Sequence, residues 1–182
     1  CANNFSSALW MPQVANVRNP RLLKALLASV KQFSHCQLRE FEPVLQIVEQ
    51  SSSAVRVNSA LRSYKASQVI VCAGAWSARL LQRSGVSLPV KPVCGQMLLY
   101  RLKLGLLNHL PLQRIVLHEG RYLIPRRDGH ILAGSTLEHR GFNKEVTAEA
   151  LASLKASAEK LMPALRGIEP VQQWAGLRPG SP

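Results

Sequence analysis

The sequence lacks the motifs of the common nucleophilic and metal-dependent enzymes. The 182-residue chain contains no G-x-S-x-G and no cysteine–histidine signature, which argues against the usual serine and cysteine nucleophiles. Its five histidines have neither H-x-x-x-H nor carboxylate spacing, so they are better interpreted as solvated or core histidines than as metal ligands. Only ten acidic residues occur, and none stands out as a general base. We therefore expect no metal site and no acid/base catalyst.

Long apolar runs and paired cysteines are also missing. No run approaches the roughly 20 apolar residues that a membrane-spanning helix requires, and the first residues do not form a signal peptide. The four cysteines, Cys1, Cys36, Cys72 and Cys94, form no C-x-x-C pair. This usage is typical of a reducing compartment, and we expect a cytoplasmic protein.

Acidic residues are scarce enough to leave a formal net charge of +13. Such an excess can indicate a nucleic-acid partner. However, the lysines and arginines are spread along the chain, the densest cluster is Arg126-Arg127, and few aromatic residues lie among them. We expect no nucleic-acid partner, although a non-catalytic basic module that binds RNA remains an alternative.

The hydrophobic periodicity predicts helices and strands in a mixed order. Asn19, as N-cap, and Pro20 open a helix, and Thr147 begins a later one that ends near Pro163. A continuous apolar run at 69–73 predicts a buried strand that enters a helix through a glycine. The remaining predicted strands are 44–49, a segment around Val55 and Val57, 61–65, 96–101, 114–118, 121–125 and 130–134, with a hairpin turn at Asp128-Gly129, and a strand follows the last helix. This order predicts an α+β fold with a sizeable, mostly antiparallel sheet.

Two segments carry a family resemblance. The first runs from Gly120 to Leu137, and the second is the stretch from Trp174 to Pro182, in which Arg178 lies among glycines and prolines. Together they resemble the glycine oxidases (ThiO type) of the FAD-dependent D-amino-acid oxidase (DAO) family, and the resemblance covers nearly the whole chain. It implies that the antiparallel sheet belongs to a substrate domain, accompanied by part of an α/β FAD-binding domain.

The resemblance implies three substrate-binding residues. Arg178 matches the arginine that pairs with the substrate carboxylate, and its planar guanidinium suits that partner. Tyr122 matches a tyrosine whose hydroxyl could donate to the same carboxylate, and Leu137 would line a small apolar pocket. From the residues alone, Arg178 could instead lie over Trp174 at the surface, and Tyr122 could pack on the sheet.

The resemblance also implies four FAD contacts. Val44 matches a position whose backbone contacts adenine, although by itself it is an ordinary core residue. Ala73, Gly74 and Trp76 match the turn beside the flavin diphosphate, where a glycine before a helix allows the backbone to approach phosphate. Without the resemblance, a simple glycine hinge with Trp76 in the core explains this turn equally well.

The dinucleotide fingerprint G-x-G-x-x-G is absent. We therefore expect the central part of a longer enzyme, in which 1–90 is a partial FAD-binding domain, 91–174 the substrate-binding domain and 175–182 the start of the return to the FAD domain. By resemblance, that enzyme would convert glycine or small D-amino acids to the 2-oxo acid, ammonia and hydrogen peroxide, and supply the thiazole of thiamine. A D-amino-acid dehydrogenase, a sarcosine oxidase-like enzyme and an inactive fragment remain alternatives, and the sequence leaves a homo-oligomer open.

Overall fold

The computed structural model describes residues 5–51, 53–102 and 112–181. They divide into two compact units, one covering residues 5–69 and the other beginning at Ile70. Within the described ranges, no helix combines the length and the apolar character needed to cross a bilayer.

The first unit contains one helix and a three-stranded antiparallel sheet. Helix α1 spans Asn19–Val30, and strands β1 (Val44–Ser51), β2 (Ala54–Ser59) and β3 (Ser63–Ala66) pair in that order. The helix and the first two strands confirm the predicted pattern. The carboxylate of Glu42 accepts hydrogen bonds from the hydroxyls of Ser59 (2.6 Å) and Tyr64 (2.8 Å), so it fastens the loop before β1 to the rest of the sheet.

Two predicted boundaries in this unit were wrong. Asn19 is not the N-cap, because the carbonyl of Arg18 already accepts from the amides of Arg21 and Leu22, and the helix therefore begins at Asn19. The third strand begins at Ser63 rather than Leu61. The hydroxyl of Ser59 accepts from the amides of residues 61 and 62, and these bonds hold that segment in a turn.

The second unit is built on a five-stranded antiparallel sheet. A 3₁₀ turn at Gly74–Trp76 leads into helix α2, which spans Ser77–Gln82. The strands are β4 (Lys91–Arg101), β5 (Val116–His118), β6 (Arg121–Pro125), β7 (His130–Gly134) and β8 (Gln172–Gly180), and helix α3 (Ala148–Leu161) precedes the last. Their order across the sheet is β5-β6-β7-β4-β8. This arrangement confirms the predicted α+β class.

The predicted hairpin is present between β6 and β7. Gly129 has a φ of 83°, in the region that glycine adopts most readily. The amide of Arg126 donates to the carbonyl of His130 at 2.8 Å and closes the loop. The Asp128 carboxylate accepts from the His130 amide at 3.3 Å, which reinforces the turn.

The predicted buried strand at 69–73 is not formed. No strand of the described residues pairs with this run, and Ile70 is 86% exposed. A run of apolar residues indicates burial but carries no information on a hydrogen-bonding neighbour, which a strand requires. The helix predicted to follow Gly74 does form, as the 3₁₀ turn and α2.

Helix α3 covers one face of the five-stranded sheet. The hydroxyl of Thr147 accepts from the amide of Ala150 at 3.2 Å and caps the helix, which ends before Pro163 as predicted. Leu154 is only 1% exposed, and burying such a side chain contributes about 2 kcal/mol. Ala150, Ala158 and Leu161 are also buried, whereas Leu151 is half-buried. The buried β4 residues on this face are Cys94, Gln96, Leu98 and Tyr100.

Candidate functional site

The other face of the sheet carries the predicted substrate-binding residues. The register places Tyr122 opposite Gly134, Gly134 opposite Met97 and Met97 opposite Trp174, and residues directly opposite in a ladder share a face. Arg178 lies four residues beyond Trp174 on the same strand, and because side chains alternate along a strand, it points to that face too. The sheet thus brings Arg178 and Tyr122 to one surface.

Arg178 is held on a floor of backbone. A Cβ built on Gly95 would lie 2.7 Å from Nη2 and 3.2 Å from Cζ of Arg178, so the guanidinium occupies the space above this glycine. Nη2 donates to the main-chain carbonyl of Thr136 at 2.7 Å. The side chain is exposed, and among the described residues this carbonyl is its hydrogen-bond acceptor. The remaining N–H groups of the planar fork are suited to a carboxylate.

Tyr122 also lies on a glycine. A Cβ at Gly134 would be 2.8 Å from both Cζ and the hydroxyl oxygen of Tyr122. A side chain larger than hydrogen at residue 134 would therefore displace the ring. Gly95 and Gly134 were not singled out from the sequence, because only the cross-strand register shows which side chains lie over them.

Leu137 adjoins the carbonyl that Arg178 contacts. Thr136 and Glu138, on either side of it, point to the α3 face, where the Thr136 hydroxyl accepts from the Gln96 amide at 2.8 Å and Glu138 accepts from the Gln96 side chain. Alternation along an extended segment then directs Leu137 to the face of Arg178. Its side chain is 67% exposed. All three predicted substrate-binding residues are consequently on one side of the sheet.

A buried polar cluster lies behind this surface, on the α3 face. Gln96 is fully buried, and its side-chain oxygen accepts from the Thr147 amide at 3.0 Å and from Gln173 Nε2 at 3.1 Å. Its Nε2 donates to the Glu138 carboxylate at 3.0 Å. Buried polar side chains are satisfied in this way in native proteins. A glutamine within the apolar strand β4 was the sequence signal that could have identified the cluster.

Glu138 is the charged member of this cluster. It accepts a hydrogen bond from the Thr136 hydroxyl, and Arg140 Nε lies 3.2 Å from its Oε2. The hydrogen bond from Thr136 holds the pKa of the Glu138 carboxyl below its usual range, with further help from Gln96 and Arg140 and against the opposing effect of burial. The Nη2 atom of the same Arg140 side chain lies 3.2 Å from the Cys94 sulfur.

The predicted cofactor contacts lie in both units. Gly74 has a φ of 54°, and no atom lies within 4 Å of a Cβ built there, so the backbone is open to close approach by a phosphate. Ala73 precedes it, and Trp76 is 45% exposed, with its ring centroid 5.8 Å from that of Phe142. Val44 is the first residue of β1 in the first unit and is 41% exposed. Within the second unit, the open backbone at Gly74 and the exposed side chain of Trp76 are compatible with contact to FAD, and so, by itself, is the exposed side chain of Val44 in the first unit.

Metal and thiol chemistry gain no support from the described residues. They contain no group of three or more histidine, cysteine or carboxylate side chains that could hold a metal ion. Their cysteines are free, with Cys36 and Cys72 exposed and Cys94 buried, and Cys1 lies outside the described residues.

Comparison with known proteins assigns this two-unit α+β fold to a class of flavin-dependent oxidoreductases. Residues 2–182 match the DAO family, described as FAD dependent oxidoreductase. The chain is 50% identical to the glycine oxidase of Pseudomonas aeruginosa over 98% of its own length and 48% of that protein. It is 32% identical to the bifunctional protein ThiO/ThiG of Synechocystis over 95% of its length and 26% of that protein. The crystal structure of glycine oxidase from Geobacillus kaustophilus superimposes with a TM-score of 0.75 and 31% identity, covering 87% of this chain and 42% of that one.

The chain therefore belongs to the DAO family of FAD-dependent oxidoreductases. This finding confirms the resemblance drawn from the segments ending at Leu137 and Pro182. The chain spans about half the length of the glycine oxidases that it matches.

Proposed function

We propose that the whole protein containing this chain is a glycine oxidase, which converts glycine or a small D-amino acid to the 2-oxo acid, ammonia and hydrogen peroxide. The observation that carries the proposal is the Arg178 guanidinium, which lies over Gly95 on the same face as Tyr122. The 50% identity to a glycine oxidase supports the reaction.

Arg178 would bind the substrate carboxylate through two N–H groups. Its bond to the Thr136 carbonyl uses part of the fork and fixes its direction, and charge-assisted bonds to a carboxylate are roughly twice as strong as neutral ones. Tyr122 would add a neutral hydrogen bond, and Leu137 would limit the room for a substrate side chain. Orientation of the substrate α-carbon is thus the contribution of these residues.

The residues that would hold FAD are Val44, Ala73, Gly74 and Trp76. When bound, FAD would supply the redox chemistry, namely oxidation of the substrate with oxygen as the electron acceptor. Gly74 would admit the diphosphate to the backbone. We assign residues 1–90 to the FAD-binding domain, 91–174 to the substrate-binding domain and 175–182 to the return segment.

The proposed cellular role is supply of the thiazole precursor of thiamine, in the cytoplasm. Similarity to the bifunctional protein ThiO/ThiG supports this role. The proposed small-molecule partner is the amino-acid substrate. Gel filtration of the whole protein would test whether it forms a homo-oligomer.

The first test is peroxide release by the full reading frame that includes this chain, supplied with FAD and with glycine, sarcosine or D-alanine in turn. We expect turnover of glycine. Flavin binding without peroxide would instead indicate a dehydrogenase with another electron acceptor, and preference for sarcosine a sarcosine oxidase-like enzyme. Absence of flavin binding together with steeply salt-dependent RNA binding would support the basic module.

The second test compares Arg178→Ala with Tyr122→Phe in the same protein. Loss of a charge-assisted bidentate contact is expected to raise KM for glycine about a hundredfold. Loss of one neutral hydrogen bond should raise it about fivefold. Steady-state kinetics provides the measurement. Equal or negligible effects of the two variants on KM would show that Arg178 does not bind the substrate carboxylate.

A further inference from the structure

We propose that Thr136 is a positioning residue, held by Gln96 and Glu138, that fixes Arg178 in the orientation in which it binds the substrate carboxylate. This inference rests on the proposed function, because it takes the carboxylate role of Arg178 from there. Thr136 itself would not contact the substrate.

The first step is the contact between Thr136 and Arg178. An exposed arginine has many rotamers, and ordering it costs conformational entropy. The 2.7 Å hydrogen bond from Nη2 to the Thr136 carbonyl selects one of them. Gly95 provides the space for that rotamer. The guanidinium is thereby oriented before a ligand arrives, which reduces the cost of binding.

The second step is the immobilisation of Thr136. Its amide donates to the Gln96 carbonyl at 3.2 Å, and its hydroxyl accepts from the Gln96 amide at 2.8 Å. The same hydroxyl donates to the Glu138 carboxylate. Thr136 is only 7% exposed. Bonds on the α3 face therefore hold the peptide whose carbonyl meets Arg178 on the other face.

The third step is the anchoring of Glu138. Its backbone pairs with Cys94 at 2.9 Å in both directions, and its carboxylate accepts from Gln96 Nε2 at 3.0 Å. Arg140 Nε forms an ion pair with the same carboxylate at 3.2 Å. The ionised carboxylate of Glu138 can only accept hydrogen bonds, so the Thr136 hydroxyl must be the donor between the two. The remaining lone pairs of the carboxylate accept from Gln96 Nε2.

The experiment measures acetate binding by calorimetry and glycine kinetics in the full-length protein. Thr136→Val keeps the shape of the side chain and removes both hydroxyl bonds. We expect it to weaken acetate binding and raise KM for glycine about tenfold, with kcat changed less than about threefold. Thr136→Ser restores the hydroxyl and should return both values to within about twofold of wild type. Glu138→Gln should weaken acetate binding about threefold, whereas the matched exposed variant Glu119→Gln should leave it unchanged.

A double-mutant cycle separates positioning from general damage to the sheet. In an Arg178→Ala background, Thr136→Val should change the residual acetate affinity by less than about twofold, because the group being positioned is gone. An undiminished effect of Thr136→Val in that background, or wild-type acetate binding by Thr136→Val alone, would overturn the inference and leave the proposed function standing. Wild-type acetate binding and KM in Arg178→Ala would overturn the carboxylate assignment itself.

Discussion

At the scale of single residues, the site depends on two positions that carry no side chain. Gly95 leaves room for the Arg178 guanidinium, and Gly134 leaves room for the Tyr122 ring. Both glycines lie within strands, where glycine ordinarily weakens the structure, and close approach by another group is one recognised reason for such a residue. Their contribution is steric, because each leaves the space that the side chain of a proposed substrate-binding residue occupies.

Substitution Gly95→Ala tests this steric contribution. The added methyl would lie 2.7 Å from Arg178 Nη2 and 3.2 Å from the Thr136 carbonyl oxygen. The flexible guanidinium would move away and lose that acceptor, so we expect KM for glycine to rise about tenfold. Steady-state kinetics of the full-length protein provides the measurement, and an unchanged KM would contradict the account.

Gly176→Ala is the matched control for that substitution. Gly176 is directly opposite Gly95 on β8, yet no atom lies within 4 Å of a Cβ built there. We expect the midpoint of thermal unfolding of the Gly176→Ala variant to equal that of wild type. A rise in KM in this variant would therefore come from contact between the methyl group and the ligand, and not from displacement of Arg178.

Glu138 gives the fold a predictable dependence on pH. Its folded-state pKa is below the ordinary value of 4.5, chiefly because Thr136 donates to it. The carboxylate therefore contributes stability that is fully present above pH 4.5 and is lost as the pH falls through the lowered pKa. We expect the difference in unfolding free energy between wild type and Glu138→Gln to be largest near neutral pH and to shrink below 4.5. Urea titrations across this pH range provide the measurement, with the variant Glu40→Gln at an exposed glutamate as control. A constant difference in unfolding free energy between wild type and Glu138→Gln would contradict the account.

The sequence was enough to predict the residues that we propose bind the substrate, but not the residues that support them. Arg178, Tyr122 and Leu137 lie in local segments that resemble the family, and the structure places all three on one face. Gly95 and Thr136 act through contacts with residues about 40 positions or more away in the chain, from β8 and β4 respectively. Such contacts depend on the register of strands, which local patterns do not specify.

At the scale of elements, α3 was predictable because its signals are local. A threonine N-cap, apolar residues on one face and a terminal proline all lie within the helix and its ends. The segment 69–73 shows the opposite case. This segment is apolar, but a strand also needs a hydrogen-bonded neighbouring strand from another part of the chain. Ile70 remains exposed in the described structure. The start of β3 was missed for a different reason, because the Ser59 hydroxyl holds residues 61 and 62 in a local turn that the hydrophobic pattern does not indicate.

The N-cap of α3 provides a prediction for this element. The Thr147 hydroxyl accepts from the Ala150 amide at 3.2 Å, so Thr147→Ala should lower the unfolding free energy by about 1 kcal/mol. Thr147→Ser keeps the hydroxyl and should restore most of that loss. Hydrogen exchange at the Ala150 amide should accelerate in the alanine variant only. Equal exchange in both variants would show that the hydroxyl does not cap the helix.

At the scale of the whole molecule, the chain has features that attract FAD but few that would hold it. A net charge of +13 favours an anionic diphosphate in a general way. Tight binding of a dinucleotide normally depends on several backbone amides of a glycine-rich turn at the start of a helix. The sequence contains no G-x-G-x-x-G, and Gly74 leads through a 3₁₀ turn into an α2 of only six residues.

We therefore expect the 182-residue chain, produced alone, to bind FAD weakly or not at all. Added FAD should pass freely through gel filtration, and flavin fluorescence should remain unquenched at micromolar protein. The product of the full reading frame that includes this chain should retain flavin through the same column. Because both samples contain Val44, Gly74 and Trp76, the comparison isolates what these residues contribute without the rest of the protein. A stable yellow chain would show that the residues of this chain suffice to bind FAD without the rest of the protein.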